Sequence, residues 1–99
     1  MVLDETAIPV RREVAGVCDL LGLDPLALAC EGRALAWVAE EDAKRALDAL
    51  RSHPRGAESE IIGRMEAANP GAPPVIMKTR VGGERPLDLL SGLDLPRIC

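Results

Sequence analysis

A chain of 99 residues, 47% hydrophobic and 28% charged, fits one small globular domain with a marginal core and excludes a disordered or fibrous polymer. Its formal net charge of -4, with acids and bases interspersed, leaves no basic stripe with stacking aromatics, so nucleic acid is not an expected partner. No apolar run approaches the roughly 20 residues of a membrane span, and MVLDETAIPVRRE lacks the layout of a signal peptide; no membrane partner and a cytoplasmic location are expected.

In chain order, VLDETAI reads as a short strand over residues 2–8, and Pro9 suits a first helical turn. From Val10 to Leu21 the apolar residues Val10, Val14, Val17, Cys18 and Leu21 recur at spacings of three and four, one face of an amphipathic helix that Gly22 stops. LDPLAL predicts a turn with a short helical piece, Asp24 as its cap and Pro25 in its first turn. After Gly32, the continuous apolar run over residues 34–38 has strand length and predicts a buried strand. EEDAKRALDALRSHP places Ala43, Ala46, Leu47 and Leu50 on one helical face, with acids in the first turn and Arg51 and His53 in the last, matching the helix dipole. Pro54 and Gly56 end it. SEIIGRME, PVIMKTR and RPLDL follow as three short strands separated by AANPGAP and VGGE, the spacing of an antiparallel meander. The order predicts an α+β layer sandwich, a mixed or antiparallel sheet packed on helices. The strand at residue 2 has nothing before it and is expected to form an exposed edge.

Few residues offer chemistry. Trp37 is the only aromatic side chain, so the core must come from Leu, Val, Ile and Ala. Cys18, Cys30 and Cys99 lack CxxC spacing, which argues against a zinc site or disulfide framework, and Cys18 reads as a small buried hydrophobe. His53 reads as a cap of the last helical carbonyls, VGGE as a tight turn because no helix follows it to make a phosphate site, and AEED as dipole matching. Glu31, between Cys30 and Gly32, is either a solvated turn residue or a carboxylate that a short loop aims into a cleft. The ending LDLPRIC reads as a delivery arm: Pro96 stiffens the approach, Arg97 can pair with an anion, Ile98 can anchor in an apolar groove, and Cys99 has no neighbour beyond it.

The stretches DETAIPVRREV, LLGLDPLALACEGR, SHPRGAESEIIGR and LPRIC closely resemble the HypE family of hydrogenase maturation proteins, carbamoyl dehydratases of the aminoimidazole ribonucleotide synthetase (PurM)-like superfamily. The resemblance spans the whole chain and implies the last third, about, of a longer family chain. It further implies residues 1–91 as a PurM-like C-terminal domain incomplete at its N-terminal side, and residues 92–99 as a tail carrying the acceptor cysteine. In that family the terminal cysteine, here Cys99, is carbamoylated by HypF and dehydrated with ATP to a thiocyanate, whose cyanide passes to iron held by the HypC–HypD complex. Glu31 matches the glutamate the resemblance assigns as a base. Cys30 stands where many relatives carry Asn, a departure that leaves the glutamate and glycine in place. ATP and magnesium are expected to bind in the upstream part of the family chain, with none bound in this one, and a homodimer is expected for the full-length protein. By itself the chain is expected to lack ATPase and dehydratase activity while still presenting a carbamoyl-accepting tail. A non-catalytic docking module for other maturation proteins is the alternative.

Overall fold

The computed structural model describes residues 1–87. They divide into two compact units, one of residues 1–9 and 37–87, the other of residues 10–36.

The first unit is built on a four-stranded sheet of β1 (Val2–Asp4), β2 (Gly63–Arg64), β3 (Ile76–Lys78) and β4 (Glu84–Pro86), in the order β2-β1-β3-β4. β1 runs antiparallel to β2, with Leu3 opposite Gly63, and parallel to β3, with Leu3 opposite Met77. β3 and β4 are antiparallel, with Met77 opposite Arg85. Met77, at the centre of this pairing, is fully buried. The sheet is therefore mixed. It corrects the expected meander, because β1 separates β2 from β3, and it corrects the expected edge, because β1 is an interior strand paired on both sides.

Backbone bonds beyond the strands explain this order. The N-terminal ammonium donates to the Pro74 carbonyl at 2.9 Å, Ile76 N–H to Met1 at 3.0 Å, and Asp4 N–H to Ile62 at 2.9 Å. These bonds tie β1 to its neighbours on both sides. Gly63 allows the approach of β2, since a Cβ there would strike the Val2 carbonyl and come within 2.9 Å of Leu3 Cδ2. On the other side, Leu87 N–H donates to Val75 at 3.0 Å, so alternation along an antiparallel ladder puts Pro86 where an N–H would point away from β3. Proline is suited to that outward position of a strand.

β1 is shorter than the strand expected over residues 2–8. The Asp4 carboxylate accepts from Thr6 N–H at 2.8 Å and from the Thr6 hydroxyl at 2.6 Å, turning the chain into a 3-10 turn at Glu5–Ala7. Local side-chain bonding outcompetes the ladder here.

In the same unit, a 3-10 turn at Glu40–Asp42 leads into a helix at Ala43–Arg51, with Ala43, Ala46 and Leu47 half-buried and Leu50 51% exposed. An Asp42–Arg45 pair at 2.8 Å crosses its first turn. At its end Arg51 Nε donates to the Ser59 carbonyl at 2.9 Å, and its guanidinium pairs with Glu60, tying the helix to the segment that enters β2. His53 does not cap the last carbonyls with its ring: Nδ1 accepts from Arg55 N–H at 3.2 Å, capping the following turn at Pro54–Gly56. Proline after histidine sets up that turn and points the ring forward.

The loop Thr79–Gly83 is the tight turn that VGGE predicts. Thr79 N–H donates to Gly83 at 2.8 Å, Gly82 N–H to Thr79 at 3.0 Å, and Gly82 takes φ +84°.

In the second unit a helix spans Arg12–Leu21. Pro9 precedes it by three residues rather than entering its first turn, and the helix starts two residues later than the spacing suggests. Gly22 ends it at φ +67°, the left-handed cap glycine adopts without strain, and Leu23 N–H closes on Cys18 at 2.9 Å. Cys18 is buried, as its apolar setting implies, whereas Val14, Val17 and Leu21 are 40%, 55% and 62% exposed. Periodicity specifies which helix face is apolar but not what covers it. Asp24 accepts from Leu26 N–H at 2.9 Å and caps a 3-10 turn at Pro25–Ala27, as expected.

Residues 34–38 form no strand, and Leu35, Trp37 and Val38 are 68%, 64% and 50% exposed. This corrects the expected buried strand. An apolar run becomes a strand only beside an edge that takes up its backbone groups, and among the described residues the sheet holds β1 to β4 alone.

Candidate functional site

Glu31 and Gly32 lie in a turn after the Pro25–Ala27 segment. Gly32 has φ +78°, and a Cβ there would meet no atom within 4 Å. The requirement for glycine is therefore one of backbone conformation, not of space. Glu31 precedes this reversal and is exposed, as is Cys30. A carboxylate so placed can meet an incoming group and accept a hydrogen bond or a proton from it.

The second sequence-predicted site residue, Cys99, lies outside the described residues, as do Pro96, Arg97 and Ile98. The two predicted site residues are thus not seen together. Of the other thiols, Cys18 is buried and Cys30 exposed, both free; burial rules Cys18 out as a group that other proteins could reach.

Among the described residues, no three His, Cys, Asp or Glu side chains gather to hold a metal ion, and no buried side-chain nitrogen or oxygen lacks a partner. No helix there is long and apolar enough to cross a membrane. Asp4 has its carboxyl held below the ordinary value of 3.8, chiefly by the Thr6 hydroxyl and then by the Thr6 N–H. That carboxylate is committed to the turn after β1, which makes it structural.

The family model for the AIR synthase related protein, C-terminal domain, matches residues 1–74. The chain belongs to this family. It is 52% identical over 99 residues to the carbamoyl dehydratase HypE of Cupriavidus necator and 50% identical over 99 residues to that of Rhodobacter capsulatus, in each case covering 100% of this chain and 28% of the relative. It therefore spans somewhat over a quarter of the length of the relatives it matches. Among solved structures, a hydrogenase maturation protein HypE superposes with a TM-score of 0.88 at 43% identity, over 99% of this chain and 32% of that one. A HypE in complex with ATP gives 0.83 at 40% identity, over 94% and 29%, and a HypE–HypF complex gives 0.77 at 32% identity, over 88% and 27%. The AIR synthase related fold agrees with the mixed sheet and two helices, and the α+β class read from the sequence stands.

The match to HypE, legible beforehand in segments such as GLDPLALACEGR and PRIC, extends over the intervening residues as well. Sequence reading alone left Glu31 poised between a solvated turn and a cleft carboxylate. Glu31 is exposed in its turn, and the reversal at Gly32 is the local signal that made the position noticeable.

Proposed function

We propose that this chain is the C-terminal part of a carbamoyl dehydratase of the HypE kind, with Cys99 as the carrier of the group transformed. The observation that carries this reading is identity of 50–52% along all 99 residues, Cys99 included in the span, to two HypE carbamoyl dehydratases. Residues 1–91 serve as the PurM-like domain and residues 92–99 as the arm.

In the proposed chemistry the Cys99 sulfur bears a carbamoyl group, S–C(=O)NH2. Conversion to S–C≡N removes the amide oxygen and both nitrogen protons. The oxygen takes the terminal phosphoryl group of ATP, giving ADP, as the first nitrogen proton is lost; the oxygen then leaves as phosphate while a carboxylate base takes the second proton from nitrogen. Glu31 is assigned that base. The described residues themselves do not fit a magnesium–ATP site, since no three of their His, Cys, Asp or Glu side chains gather to hold a metal ion and the Thr79–Gly83 loop is a hairpin turn. ATP and magnesium are therefore assigned to the remainder of the family chain, a reading supported by the similarity to a HypE solved with ATP. HypF is the proposed carbamoyl donor, supported by the similarity to HypE in a HypE–HypF complex. The HypC–HypD complex is the proposed cyanide acceptor, with iron as cargo. Assembly of the full-length protein as a homodimer and residence in the cytoplasm complete the proposal.

The test is intact-protein mass spectrometry after incubation with HypF, carbamoyl phosphate and ATP. A gain of one carbamoyl group, lost in Cys99→Ala and retained in Glu31→Gln, is expected if Cys99 accepts and Glu31 acts only afterwards. An equal gain in Cys99→Ala sinks the assignment of the acceptor. No gain in any form, with HypF binding intact, favours the docking-module reading.

A further inference from the structure

We draw no further inference here: the strongest candidate, the apolar surface patch at the outer rim of β2 where the exposed side chains of Ile61 and Met65 flank Gly63, carries nothing because no feature of the structure shows what covers it.

Discussion

The two units differ in the reach of their bonds. In residues 10–36 the helix and turn bonds are local: the Arg12–Leu21 helix closes on Gly22 and Leu23, and Asp24 caps the turn two residues on. In the sheet unit, local turn and helix bonds are joined by bonds between distant positions. The N-terminal ammonium meets Pro74 across 73 positions, and Arg80 N–H meets Glu5 Oε2 at 3.0 Å across 75. A local bond needs little chain ordered beforehand, whereas each distant bond depends on loop closure and on its neighbours being made. Damage to the sheet unit should therefore spread through it, while damage in residues 10–36 should stay where it is made.

The largest effect is expected from Met77→Ala, which hollows the fully buried centre of the sheet and should cost about 2–5 kcal/mol, read as a fall in the urea midpoint. Cys18→Ala removes a smaller buried side chain, and an equal loss there would erase the contrast. Next, Gly63→Ala drives a methyl into the Val2 carbonyl and should cost about 1–3 kcal/mol, with loss of amide protection in β1 as well as β2. Protection lost in β2 alone would count against spreading. Gly22→Ala forces a side chain into the left-handed cap, at about 1–2 kcal/mol. Its signature should be fraying of the preceding helix by amide exchange with β3 untouched.

The smallest effect concerns acid. Asp4 has a folded-state carboxyl below its ordinary value, held there mainly by the Thr6 hydroxyl. A lowered folded-state value means stability that is present above the unfolded-state value and lost as pH falls through the folded one. Melting temperature should therefore fall with acid more steeply in the parent chain than in Asp4→Asn, below the ordinary value of 3.8. Parallel acid limbs would remove Asp4 from the balance.

What could be read in advance follows the same division. The 3.6-residue spacing and the caps at Gly22 and Asp24 are written within a few residues, so both helices and the Pro25 turn were legible to within two or three positions. The pairing of β1 with β3 joins Val2 to Ile76, and no short window holds that information. For the same reason the run over residues 34–38 looked like a strand: its composition suits one, but the partner that makes a strand is a non-local fact. Glu31 was legible as a turn residue because glycine follows it. Its proposed role came from resemblance, since an exposed carboxylate carries no local mark of catalysis.

The parallel register of β1 against β3 also sets an order of events in time. During synthesis Val2–Asp4 leave the ribosome well before Ile76–Lys78 exist, and at about 5–20 residues per second the first strand waits on the order of 4–15 seconds for its partner. The Ala43–Arg51 helix can form in the interval, because its bonds are all at hand. The sheet is then the late, slow product of a nascent chain in which β1 must be kept from other pairings until β3 is made.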